Sequence, residues 1–217
     1  MNIEQARYNM VEQQVRPCEV LDHKVLDLME HASREAFVPE LYRNLAYADI
    51  MAPLDHGEVM MQPRIEARML QALQIESSDR VLEIGTGYGY LTHLLAALAG
   101  HVVSLEIRED FHHQAERNLK MQSTFNITLE CADGLQGRPV GAPYDVIAVT
   151  GSLPQPDDVL KRQLSIGGRM FVITGQAPAM QANLIRRTGE HQWRTECLFE
   201  TVIPALIGAP QKQHFVL

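Results

Sequence analysis

Cysteine is scarce in this chain. Only Cys18, Cys131 and Cys197 occur, far apart and odd in number, which argues against a disulfide framework and against a thiolate zinc site. A reducing, cytoplasmic setting is expected, with no metal centre. Positive charge is not in excess either: 19 Lys and Arg stand against 27 Asp and Glu, a net charge of −8. A chain of that sign has no overall attraction for a phosphate backbone, so nucleic acid is not an expected partner. Long apolar runs are missing as well. No stretch approaches the about 18 consecutive apolar residues of a spanning helix. The first 16 residues are broken by Glu4, Arg7, Glu12 and Arg16, unlike a secretory signal. No internal repeat, low-complexity tract or Gly/Ser linker divides the chain. What remains is 46% hydrophobic and 21% charged over 217 residues, which suits a single globular domain away from membranes. Nothing in the sequence encodes an oligomeric state.

The character of the chain changes near residue 80. Over residues 1–79 the patterns are helical: Leu21, Val25, Leu28 and Met29 share one face, with Asp22 placed to cap it. Pro63 suits a first helical turn, and Ile65, Met69 and Leu73 follow at spacings of four. Phe37-Val38-Pro39 and the region from Ala52-Pro53 to Gly57 read as connectors. Over residues 80–217, short apolar runs alternate with helical stretches. Strands are expected at Arg80–Ile84, His101–Glu106, Asn126–Glu130, Asp145–Val149 and Arg169–Ile173. Crossover helices are expected at Tyr90–Ala99 and Glu109–Met121. This alternation predicts an α/β, Rossmann-like, mostly parallel doubly wound sheet. Asn183–Arg187 and Arg194–Val202, joined around Gly189-Glu190, read as a C-terminal antiparallel hairpin. The helical extension at the N-terminus completes a single domain.

The most informative segment is Val81-Leu82-Glu83-Ile84-Gly85-Thr86-Gly87-Tyr88-Gly89-Tyr90. An apolar strand runs into three alternating glycines and then into a helix. Glycines there permit a sharp turn and a close backbone approach to a ligand at the carboxyl end of the first strand. The dinucleotide fingerprint would need glycine at position 90, where this chain has Tyr90. Glu83 would repel a pyrophosphate, whereas a ligand with a positive sulfur and ammonium group would welcome a carboxylate directly or through water. Charge therefore favours S-adenosyl-L-methionine over NAD.

Further acids follow the same logic. Glu106, with Ile107 beside it, ends the second strand, where a Rossmann unit carries its ribose-binding acid. Asp133-Gly134 follows the third strand within reach of an adenine amine, and Thr150-Gly151 ends the fourth on the same rim. A lone glycine loop or a lone Asp-Gly turn would be weak evidence. The conjunction predicts a cofactor site made of Glu83, Gly85, Thr86, Gly87, Gly89, Glu106, Ile107, Asp133, Gly134 and Thr150.

Several segments resemble the protein-L-isoaspartate O-methyltransferase family, a class I S-adenosylmethionine-dependent family. They are Arg34-Glu35-Ala36-Phe37-Val38-Pro39-Glu40; Ala46-Tyr47-Ala48-Asp49 with Pro53-Leu54 and Gly57; and Gln62-Pro63 with Ala67-Arg68-Met69. Downstream, Ala142-Pro143-Tyr144-Asp145, Val149-Thr150, Gln163-Leu164 and Gly167-Gly168-Arg169 match in kind and order. The likeness runs from about Val25 to the C-terminal hairpin. It implies the same fold, the same methyl donor, and carboxyl methylation of isoaspartyl residues in damaged proteins. A carboxyl with an ordinary pKa of about 4 is ionised at neutral pH and needs no general base. No Ser-His-Asp or metal constellation is then required.

The family's acceptor loop usually reads Gly-Gln-Thr-Ile-Ser-Gln-Pro. The aligned substrate loop here is Gly57-Glu58-Val59-Met60-Met61-Gln62-Pro63, preceded by His56. Both hydroxyls are missing, Met61 stands at the serine position, and Glu58 replaces a neutral amide. Glu58 should repel an incoming carboxylate. Beside a protein or peptide carboxylate, two alternatives stand: a small-molecule or more apolar acceptor, and a donor-binding protein without turnover. Among nine histidines, His56 is the one placed in this loop; His112-His113 point in different directions on a helix and read as solvated.

Overall fold

The computed structural model describes residues 2–156 and 158–210. Helix α1 (Ile3–Met10) is capped by the Asn2 side chain and continues through a π-helical turn at Val11–Val15; Met10, Val11 and Val15 point into the core. Helix α2 (His23–His31) begins at Asp22, whose carboxylate accepts from the Lys24 N–H at 2.9 Å, the N-cap geometry its sequence predicts. Leu21, expected on the helical face, precedes the helix and is 70% exposed; Val25, Leu26 and Met29 carry the buried face instead. The stretch read as a connector contains a short antiparallel hairpin, β1 (Ala52–Pro53) and β2 (Val59–Met60). Helix α3 (Pro63–Leu73) follows, with Pro63 at its start and Ile65, Met69 and Leu73 buried.

Beyond residue 80 come β3 (Arg80–Ile84), α4 (Tyr90–Leu98), β4 (His101–Glu106), α5 (Glu109–Met121), β5 (Ile127–Cys131) and β6 (Tyr144–Leu153). Then follow α6 (Asp158–Arg162), β7 (Leu164–Gln176), β8 (Ala179–Gly189) and β9 (Gln192–Glu200). The seven longer strands form one sheet in the order β5-β4-β3-β6-β7-β8-β9. The pairs from β5 through β7 are parallel, and β8 and β9 are added antiparallel at the edge. Strands β7 and β8 extend well beyond their apolar stretches, because Arg169↔Arg186 to Gln176↔Ala179 pair continuously. Hairpin pairing satisfies backbone groups whether or not the side chains are apolar.

Both faces of the sheet are covered, as a parallel sheet requires. Val81, Val102, Ala148 and Phe171 pack on one face under the N-terminal helices, α4 and α5. Leu82, Val103, Ile147 and Met170 pack on the other with Leu160 of α6. From β3 the chain winds outward through β4 and β5, then returns to the far side of β3 as β6. That reversal creates a switch point between β3 and β6, where carboxyl-end loops diverge and leave a crevice.

Candidate functional site

The loop after β3 is locked to the end of β6. Gly85 has φ +93, and a Cβ there would stand 2.2 Å from Thr150 Oγ1. Glycine is needed for the backbone conformation and for the space alike. Thr150 Oγ1 donates to the Gly85 carbonyl at 2.7 Å, with the Ile84 carbonyl at 2.9 Å. Thr150 lies where the register of β6 against β7 shifts, between Ala148 and Ser152. Gly89 caps α4 with φ +94 and packs against Leu119 and Ala115 rather than facing the crevice.

Three acids were expected at the strand ends, and the structure places them differently. Glu106 is 5% exposed and lines the crevice. One oxygen accepts from the Gly87 N–H at 2.8 Å and the other from the Arg108 N–H at 3.0 Å. Burial pushes its carboxyl above the ordinary value, against the opposite pull of those backbone donors. Asp133 is exposed on the rim, where it accepts from the Leu135 N–H at 2.9 Å. Glu83 is not on the crevice wall. It is fully buried behind the loop, accepting from Thr92 Oγ1 at 2.5 Å and Ser104 Oγ at 2.6 Å. Burial pushes its carboxyl up to about 8, so it is mostly protonated at neutral pH. Of the two ways in which Glu83 could serve a cationic ligand, directly or through water, the crevice wall does not offer the direct one: Glu83 pairs with Ser104, two residues short of Glu106, and its carboxyl is set back beneath the glycine loop. Thr86 is also buried, 2.6 Å from Ser104 Oγ.

The crevice is a cavity of about 110 Å³ with an open mouth. Gly85, Gly87, Glu106, Ile107, Asp133, Gly134 and Thr150 line one part. The β1–β2 hairpin supplies another through Leu54, Glu58, Val59 and Met61. Its turn has positive φ at both His56 (+58) and Gly57 (+77), as the primed hairpin turns demand. His56, Gly57, Met60, Gln62 and Pro63 are not on the wall. His56 instead reaches Asp110 at 2.6 Å on the surface, and Met60 is buried in the core.

Below the hairpin, the fully buried Arg34 pairs with Glu66, stacks over the Tyr90 ring at 4.7 Å and donates to the Met61 carbonyl. The hairpin's exit is thereby fixed from beneath.

Sequence patterns did not reveal three contributors. Arg108 lines the cavity two residues after Glu106, and Phe111 follows on the first turn of α5; their closeness to an expected ligand was the available signal. The segment Ile203–Ile207 crosses the cavity because the Ser152 N–H bonds to the Pro204 carbonyl and the Leu206 N–H to the Ser152 carbonyl. Those are long-range backbone bonds that no local pattern announces.

The chain matches the family described as protein-L-isoaspartate(D-aspartate) O-methyltransferase over residues 5–205. It is 40% identical over 210 residues to protein-L-isoaspartate O-methyltransferase 2 of Pelobacter propionicus, covering 96% of this chain and 93% of that one. Among solved structures it resembles a protein-L-isoaspartate O-methyltransferase with a TM-score of 0.79 and 25% identity, over 94% of this chain and 65% of the other. It also shares its fold with a Plasmodium falciparum protein solved in complex with S-adenosyl-L-homocysteine, with a TM-score of 0.77, 18% identity, and coverage of 95% and 98%.

Proposed function

The chain belongs to the protein-L-isoaspartate(D-aspartate) O-methyltransferase family, and on that footing we propose that it methylates isoaspartyl carboxylates of damaged proteins with S-adenosyl-L-methionine. One observation carries the reading. The glycine loop with Glu106 and the β1–β2 hairpin open onto the same cavity, so a donor held at the loop and an acceptor under the hairpin would meet. The relatives' names favour this acceptor over a small molecule or a loss of turnover.

The residues present suit an adenosyl ligand. Gly85 and Gly87 put bare backbone on the wall, where a ligand can approach closely. Glu106 has spent two acceptor sites on backbone N–H groups, and a carboxylate offers about four; the rest are free for ribose hydroxyls. Asp133 on the rim would accept from an adenine amine. When bound, S-adenosyl-L-methionine supplies an electrophilic methyl on a positive sulfur, which leaves as a neutral thioether with the bonding pair. The acceptor oxygen gains the methyl as an ester, and no proton moves. Leu54, Val59, Met61 and Phe111 exclude water from the acceptor side, which strengthens charge interactions there. Arg34, by holding the Met61 carbonyl, keeps that wall in register with the donor side, and alignment of this kind is what such a transfer demands.

No helix among the described residues is long and apolar enough to cross a membrane. The free thiols of Cys18, Cys131 and Cys197 support a cytoplasmic setting.

The test is a pair of peptides differing in one residue, isoaspartate or ordinary aspartate, incubated with methyl-labelled donor. Base-labile label in the isoaspartyl peptide is expected. An absence of ester in both peptides, with the donor product still bound, would overturn the proposal.

A further inference from the structure

Arg108 is the one cationic side chain among the described residues that line the cavity; Glu58, Glu106 and Asp133 are the other charged ones. An acceptor carboxylate entering this space meets three like charges and a single opposite one. The Val59, Met61 and Phe111 side chains offer it no strong hydrogen-bond donor, and the hydroxyls usual in this loop are missing. Arg108 therefore carries the electrostatics of the acceptor side.

Its guanidinium is only partly committed. An Nη donates to Glu58 Oε1 at 3.1 Å, with the two side chains 29% and 30% exposed. The Nε–H is buried and has no hydrogen-bond partner among the described residues. The Arg108 backbone is held, its N–H donating to Glu106 at 3.0 Å. A group anchored to the donor side of the cavity thus presents a planar fork to the acceptor side, and such a fork takes a carboxylate through two parallel hydrogen bonds. Glu58 occupies part of that fork from the hairpin turn.

We propose that Arg108 binds the acceptor carboxylate, and that Glu58 is an internal carboxylate the substrate displaces. The assignment rests on the carboxyl-methylating function proposed above. It gives Glu58 a role opposite to mere repulsion: Glu58 neutralises Arg108 until an acceptor arrives, and sets how strongly an acceptor must bind to replace it.

Paired variants separate exchange from a simple structural ion pair. Loss of a charge-assisted hydrogen bond corresponds to a change of about tenfold to hundredfold. Arg108→Gln should raise KM for an isoaspartyl peptide by that factor, with affinity for S-adenosylhomocysteine unchanged. Glu58→Gln should lower KM, because the competitor loses its charge. Arg108→Lys, which keeps the charge without the fork, should fall between, and it serves if the glutamine variant does not fold. A pair that only holds the hairpin would move KM in the same direction in both variants. That outcome, or an unchanged KM in the Arg108 variants, overturns the assignment and leaves carboxyl methylation standing. A wild-type protein that methylates no isoaspartyl peptide removes the proposed function, and the role of Arg108 falls with it.

Discussion

Thr150 Oγ1 lies 2.7 Å from the carbonyl oxygen of Gly85, joining the two strands that flank the switch point. Gly85→Ala would put a Cβ 2.2 Å from that oxygen at a φ of +93. Backbone strain of this kind costs on the order of 1–3 kcal/mol, and the collision adds to it. Gly85→Ala should therefore be destabilised in denaturant titrations and bind S-adenosylhomocysteine poorly. Gly85→Ala/Thr150→Ala, which removes the colliding oxygen, should recover part of the stability but not all. A double variant no more stable than the single one would show that the contact is not the source of the loss.

Glu83 gives a pH dependence whose sign follows from its burial. Its carboxyl is raised from 4.5 to about 8 in the folded protein, so between those values the folded state holds a proton that the unfolded state has lost. Stability from this group is full below pH 4.5 and is lost as pH rises towards 8. Glu83→Gln keeps a neutral hydrogen-bonding side chain and removes the titration. Its melting temperature should fall less than that of the wild type between pH 5 and pH 8. Parallel curves for the two proteins would count against a protonated Glu83.

How much of this was legible in the sequence depends on the range of the interaction. Apolar periodicity placed β3, β4, α3 and α5 at their observed limits, because their burial is set by local pattern and their ends by strong signals such as Pro63 and the glycine loop. Glu106 was legible because it closes β4, at the carboxyl edge where doubly wound sheets bind their ligands. Glu83 was placed too near the ligand because alternation does not say how deep the crevice reaches: Glu83 pairs with Ser104, two residues short of Glu106, and lies below the loop. Arg108 and the Ile203–Ile207 segment are joined to the site by long-range contacts. Single-sequence patterns do not encode such contacts.

The buried pair Arg34 and Glu66 should be worth more intact than either residue alone. Their side chains are 0% and 1% exposed. Removing one partner of such a pair typically costs about 3–5 kcal/mol, whereas replacing both by apolar groups is often neutral. Arg34→Met should unfold at clearly lower denaturant, and Arg34→Met/Glu66→Leu should recover most of that loss. Turnover should stay low in the recovered double variant, because the Met61 carbonyl has still lost its donor. Recovery of stability and activity together would show that holding Met61 is unimportant.

The Ile203–Ile207 segment should affect donor binding through one steric contact. A Cβ at Gly151 would stand 2.7 Å from Leu206 Cδ2, 2.9 Å from its Cγ and 3.2 Å from its backbone nitrogen. Gly151→Ala should push the segment away from the end of β6 and strain the bond from the Leu206 N–H to the Ser152 carbonyl, weakening S-adenosylhomocysteine binding in calorimetry. Leu206→Ala removes the first two clashing atoms together with part of the cavity wall, so it should weaken binding by itself. Combined, the two changes should cost less than their sum, because the alanine at 151 then meets little but the backbone. Residues in contact commonly show such coupling at about 0.5–3 kcal/mol. Strict additivity would mean that the segment is seated by something other than its packing on Gly151.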